Sequence, residues 1–301
     1  MTIVVLFRGN CGLSKCITRY LLGMAVADLL VLIFGVVMSE IMDSYFPFSF
    51  LNYTPICSVN IALLFMSIDW SVWLTVAFTF DRFVAICHQT FSKKYCTEKT
   101  AAVVITVVCS FSVIENAPFN FIFEPREIIN DVPWYCCIKP SFYTLTIWIA
   151  FTCFEIILTP FLPFLLILLL NVQTIRHIVQ ANRVRRGLRG KNNSEDQHDP
   201  EVENRRKSIV LLLTISASFM ILWAVIFVMF IFVNFTDAQL TETNYNAPFT
   251  IMEQTGYMLR YLSSCTNTFI YAVSQSKFRE QLKNLITSPV TIIINLFKSV
   301  K

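Results

Sequence analysis

The chain has 301 residues, of which 55% are hydrophobic and only 15% charged, with a mean hydropathy of +0.59. A water-soluble domain carries about 25% charged residues, so the composition excludes one. The formal net charge of +4 is small, and what informs is its distribution along the chain. The apolar runs are long and unbroken instead of alternating, so they predict membrane helices and not barrel strands. The fold class expected is all-α, a polytopic membrane helix bundle.

In chain order, Met1 to Phe7 is apolar but too short to span. It has no basic region before it and no small-residue cleavage site after it, so it does not read as a signal peptide. It is expected to be the inner end of a first helix that is only a stub here, followed by a loop at Arg8–Gly12. Six full spans follow: Ile17–Met42, Pro55–His88, Ala101–Phe123, Leu145–Ile178, Ser208–Val233 and Phe249–Val273. The fourth contains Pro160 and Pro163, which neighbouring helices tolerate in a membrane. A short amphipathic helix is expected after the last span. The bundle is expected to occupy residues 1–285, with residues 286–301 as a tail.

Lysine and arginine orient these spans. Placing the Arg8–Arg19 loop in the cytosol puts 21 of the 24 basic residues on the cytosolic side. Arg126 and Lys139 fall outside and Arg260 lies within a span. The loop 179–206, with basic ends and an acidic middle, and the C-terminus are then cytoplasmic, and the loop reads as flexible. The localisation expected is the plasma membrane, multi-pass. Two sequons fall outside, at Asn52 and Asn234, and both are expected to be open to glycosylation. The sequence contains no nucleotide-binding glycine pattern, no metal-ligand cluster by spacing and no hydrolase constellation. No enzymatic activity, cofactor or nucleic-acid partner is expected.

Several marks recur in order on these spans. Leu22-Gly23-Met24-Ala25-Val26-Ala27-Asp28-Leu29 lies on the first, and Asp81-Arg82-Phe83 closes the second. Cys57 stands 25 residues before Arg82. Phe219 and Trp223 lie on the fifth span, Asn267-Thr268-Phe269-Ile270-Tyr271 on the sixth, and Lys277-Phe278-Arg279 follows it. Together they resemble the rhodopsin-like, class A G-protein-coupled receptors over nearly the whole chain. Stretches such as Cys11-Gly12-Leu13-Ser14-Lys15-Cys16 and Val132-Pro133-Trp134-Tyr135-Cys136 are similar to the orphan group called probable G-protein coupled receptor 139. Three positions and one span depart from the family pattern. Thr268 and Val225 stand where prolines are usual, Phe83 replaces a tyrosine, and the Ala101–Phe123 span has no tryptophan.

The resemblance implies roles. Asp81 and Arg82 would form a lock that Arg82 leaves to meet a heterotrimeric G protein, of the Gq type. Arg205, Arg206 and Lys207 would form a basic rim for it, against the plainer reading of anionic-lipid contact. Asp28, Asn267, Tyr271, Phe219 and Trp223 would form the activation network, and Asp28 the site that often takes a sodium ion. Cys57 would pair with Cys136, and Cys137 is the adjacent competitor. The group resemblance implies an aromatic amino-acid ligand.

Charges deep in a span default to a functional site. Asp69, Glu155 and Arg260 are such charges. One reading is a structural salt bridge between Asp69 and Arg260. The other is a ligand site in which Arg260 takes a carboxylate and an acid takes an ammonium, walled by Phe65, Trp223, Phe227, Phe230 and Tyr257. The function expected is a receptor that turns binding of a small extracellular ligand into G-protein activation. The competing readings are a non-signalling receptor fragment and a small-solute transporter.

Overall fold

The structure is a computed structural model that describes residues 2–8, 11, 13–46, 48–189, 200–236 and 248–299. The side chains of residues 43, 89, 185–189, 200–205, 230, 233–236 and 288–299 lie outside that description. The expectations for Arg205, Phe230 and Asn234 therefore concern side chains outside the described residues.

The short helix α1 (Thr2–Phe7) is followed by α2 (Lys15–Val31), which continues as a π-helical stretch over Leu32–Ile41 and then α3 (Met42–Tyr45). The Ser14 hydroxyl caps α2 by accepting from the Ile17 amide at 3.4 Å, which satisfies one of the orphan donors of a helix start. Helix α4 (Thr54–Cys87) has Pro55 in its first turn, where the missing N–H costs nothing. Helix α5 (Gln89–Tyr95) leads to α6 (Glu98–Asn116), capped by Thr97 and ending in a 3-10 turn, Ala117–Phe121. Two small hairpin pairings follow. β1 (Phe123–Glu124) pairs antiparallel with β4 (Cys137–Ile138), and β2 (Glu127–Ile129) with β3 (Val132–Trp134).

Helix α7 (Ser141–Thr144) precedes α8 (Thr146–Ile156), a π-helical turn at Ile157–Phe161 that holds Pro160, and α9 (Leu162–Arg189). Helices α10 (Pro200–Thr236), α11 (Pro248–Ser274) and α12 (Ser276–Ser299) complete the chain.

Among the described residues five helical stretches are long and apolar enough to cross a membrane: Lys15–Ile41, Thr54–Cys87, Glu98–Phe121, Thr146–Val184 and Arg206–Met229. The sixth expected span is the 27-residue α11. Its Glu253, Gln254, Arg260 and run of Ser and Thr leave it too polar to qualify on composition alone, yet it packs extensively on α10. Helix α4 is the hub, touching α2, α6, α9 and α10. Large apolar side chains such as Val107, Ile114, Ile147, Ile221 and Phe269 face outward, as lipid contact requires.

Two buried clusters stack along the bundle. One, at the Asp81–Arg82 end, joins Leu6, Tyr20, Leu21, Met24, Phe78, Leu211, Tyr271 and Phe278. The other, toward the disulfide, joins Leu64, Ile68, Val72, Ile167, Phe219, Trp223 and Ile226.

Two expected boundaries shift. The loop 179–206 is helical from its start to Arg189 and again from Pro200, because α9 and α10 run past the apolar segment into the basic one. The tail expected at 286–301 is likewise helical backbone as far as Ser299, continuous with α12.

Candidate functional site

At one end of the bundle, Arg82 Nε donates to Asp81 Oδ2 at 3.1 Å, and its Nη2 makes a second contact with the same oxygen. Its Nη1 donates to Ser208 Oγ at 3.4 Å. The Cys16 thiol donates to Asp81 Oδ1 at 3.2 Å. Asp81 is 1% and Arg82 5% exposed, so this is a buried pair and not a snorkelling one. Arg206 and Lys207 lie exposed just before Ser208.

In the middle, both oxygens of Asp28 are engaged. Oδ1 accepts from Ser71 Oγ at 2.6 Å and Oδ2 from Asn267 Nδ2 at 2.8 Å, and Ser264 bonds the same carboxylate. A cavity of about 340 Å³ adjoins it, lined by Asp28, Ser264, Asn267, Thr268 and Tyr271 among others. Thr268, at the family's proline position, meets the Thr2 hydroxyl at 2.9 Å. Tyr271 is buried with its ring edge-on to Phe278.

At the other end, Cys57 and Cys136 form a disulfide with Cα atoms 6.2 Å apart. Cys137 is free, and its thiol meets the Glu124 carbonyl at 3.5 Å. The hairpin next to the disulfide covers Asn52, whose carbonyl accepts from the Tyr135 amide at 2.6 Å. Asn52 is only 7% exposed. This corrects the expectation of an accessible glycan site there, since a packed amide cannot take a sugar.

Beneath the disulfide lies a cavity of about 460 Å³. Asp69, Glu155, Arg260, Phe65, Trp223 and Tyr257 all line it. The volume falls in the ~300–1,000 Å³ range of small-molecule sites. Arg260 is 8% exposed, with its guanidinium carbon 5.0 Å from the centroid of the Tyr257 ring and 5.2 Å from that of Tyr261. These contacts partly compensate a desolvated cation. Arg260 Nε has no hydrogen-bond partner among the described residues. Tyr257 is steadied by a bond to Glu253 Oε1 at 2.9 Å.

Of the two readings of these charges, the structural salt bridge between Asp69 and Arg260 does not form. Among the described residues no ion pair joins them. Asp69 is bound instead by Asn116 Nδ2 at 2.5 Å and Thr159 Oγ1 at 2.6 Å. Phe227 corrects another expectation. It stacks on Phe164 at 4.8 Å and Phe161 at 6.1 Å and does not line the cavity. Phe65 stacks on Phe119 at 4.5 Å, and Trp223 on Phe219 at 5.2 Å.

Sequence reasoning missed Glu115, which lies beside Asp69 and Glu155. Its signal was visible: it is the lone acid within the apolar run Ala101–Phe123. Ser71, Ser264, Asn116 and Thr159 carried no comparable signal, because short polar residues are common in membrane helices.

Comparison with known proteins gives one family match, to the 7 transmembrane receptor (rhodopsin family), over residues 1–271. The chain belongs to that family. It is a multi-pass plasma-membrane protein whose family is one of signalling receptors. The receptor is 28% identical to neuromedin-U receptor 2 of Mus musculus over 276 residues, covering 89% of this chain and 66% of that one. It is 22% identical to tachykinin-like peptides receptor 86C of Drosophila melanogaster over 286 residues, covering 92% and 53%. It is 21% identical to melatonin receptor type 1A of Mus musculus over 302 residues, covering 96% and 79%. The receptor thus spans just under two thirds of the length of the neuromedin-U relative.

Proposed function

We propose that this receptor binds a small zwitterionic ligand in the cavity under the disulfide and activates a heterotrimeric G protein, of the Gq type, at the Asp81–Arg82 end. The cavity end is the extracellular one in this reading, and the loop and C-terminal helix are cytoplasmic, as the lysine and arginine distribution favours. The single observation that carries the ligand reading is the cavity's polarity. Arg260, buried and with its Nε lacking a hydrogen-bond partner among the described residues, lines the same cavity as Asp69, Glu155 and several aromatic rings. An amino acid places its carboxylate on the guanidinium, its ammonium toward Asp69 or Glu155, and its ring near Trp223. The resemblance to the group called probable G-protein coupled receptor 139 favours an aromatic side chain.

The cluster around Asp28 supports a sodium ion there. The carboxylate oxygens accept from Ser71, Asn267 and Ser264 and keep acceptor capacity, and the adjoining cavity gives the ion room. The basic Arg206 and Lys207, beside the Ser208 that holds Arg82, are the rim that meets the G protein.

The names of the relatives favour a second reading, in which the end of a peptide enters the same cavity. The test is G-protein nucleotide exchange with L-tryptophan and L-phenylalanine, each beside its carboxyl-free amine. Arg260→Gln is expected to weaken the amino acid strongly and the amine much less. An equal loss for both would overturn the contact at Arg260. Activation by a peptide alone would favour the second reading.

A further inference from the structure

Asp69 on α4, Glu115 on α6 and Glu155 on α8 each bring one carboxylate oxygen within 4.8 Å of the others. They come from three helices, so no local sequence pattern encodes the group. Asp69 is 2% and Glu115 7% exposed. Asp69 is satisfied by Asn116 and Thr159. Glu115 is not, since neither of its oxygens has a hydrogen-bond partner among the described residues. The same holds for Oε1 of Glu155 and for the amide oxygen of Asn116. Asn116 is 2% exposed, and its Nδ2 donates to Asp69 and to the Ser112 carbonyl. The unpartnered carboxylate and amide atoms of this group are therefore all acceptor oxygens, and what the group lacks is positive charge or donors.

Arg260 does not supply the charge. It lines the same cavity, but it lies against Tyr257 and Tyr261 and makes no ion pair with Asp69. Carboxylates this close and this buried need shared protons or a cation between them.

We propose that Asp69, Glu115 and Glu155, with Asn116 held against Asp69 through its Nδ2, bind a hard divalent cation of the calcium or magnesium type. The donor set offers oxygen alone, which selects such ions over those that favour nitrogen or sulfur. Asp69 and Glu155 line the cavity, so the ion enters by the route open to the ligand. The charges also fit the ligand reading on which this deepening rests. An ammonium offsets one of the three carboxylates and a divalent ion the remaining two. The ion ties α4, α6 and α8 together beside the cavity that Arg260 also lines.

The test uses the purified full chain in detergent, with no amino acid present. Manganese(II) chloride is titrated and binding followed by loss of the free-ion paramagnetic resonance signal, with calcium chloride as competitor. The expected result is one manganese ion per chain, displaced by calcium. Glu115→Gln and Asp69→Asn should each weaken it on the order of tenfold or more. Glu127→Gln, on the exposed β2–β3 hairpin, should bind as the wild type does. Glu115→Gln keeps the side-chain shape and removes a repelling charge, so in chelator it should melt at or above the wild-type temperature, which separates loss of the site from loss of the fold. If that variant does not fold, Glu155→Gln, a half-buried side chain, decides in the same way. Absence of stoichiometric manganese, as protons shared among the carboxyls would give, overturns the proposal. So does equal binding by wild type and Glu115→Gln. Because no amino acid is present, failure here says nothing against the contact at Arg260, whose test reads the response to ligand.

Discussion

Thr159 donates its hydroxyl to Asp69 Oδ1 at 2.6 Å, and it does so from inside the π-helical turn Ile157–Phe161 that contains Pro160. Single π-turns interrupt a helix and re-aim its side chains, often at functional sites. Here the interruption joins α8 to α9 and sets a donor against the acid of a neighbouring helix. A hydrogen bond to a charged group contributes about 1.5–3 kcal/mol. Thr159→Val keeps the shape and removes the donor. It is expected to lower stability by about that amount, seen as a lower melting temperature in detergent, while Thr159→Ser stays near wild type. Equal melting of Thr159→Val and wild type would show that the bond contributes nothing.

Gly35 lies in the other π-helical stretch, Leu32–Ile41. A Cβ added there would stand 2.6 Å from Tyr261 Cε1, 3.0 Å from its hydroxyl and 3.1 Å from Leu64 Cδ1. The Tyr261 ring must therefore move, and it is one of the two rings against which Arg260 lies. Gly35→Ala is expected to cost about 1–3 kcal/mol, as overpacking does. It should also weaken any ligand held by Arg260. Thermal melts and ligand dose–response curves check both, and an unchanged melt would show that the ring gives way freely.

Arg82 spans Asp81 and Ser208, and Asp81 has a second donor in Cys16. Removing Arg82 therefore leaves the Asp81 carboxylate with Cys16 as its remaining donor among the described residues. Arg82→Ala is expected to abolish ligand-stimulated G-protein nucleotide exchange while surface expression survives. Asp81→Asn weakens the same pair from the other side and is expected to raise exchange without ligand. Wild-type exchange in Arg82→Ala would remove Arg82 from the coupling step.

The spans were legible in the sequence because hydrocarbon thickness and helix rise act on local composition alone. Five long apolar segments, their polar breaks and the clustering of lysine and arginine need no knowledge of neighbours, whereas α11 is too polar to qualify on composition alone. The same holds for the depth of Asp28, Asp69, Glu155 and Arg260, which follows from counting residues along a helix. What a membrane helix does not encode locally is which face turns inward, because lipid and core are both apolar and the amphipathic stripe of a water-soluble helix is faint. Packing against α4 decided that Asp69 meets Asn116 and Thr159 instead of Arg260, and that Glu115 joins Asp69 and Glu155. Packing also decided that Phe227 stacks on Phe164 away from the cavity, and that the hairpin covers Asn52. Depth came from the sequence, and rotation about each helix axis came only from the assembled bundle.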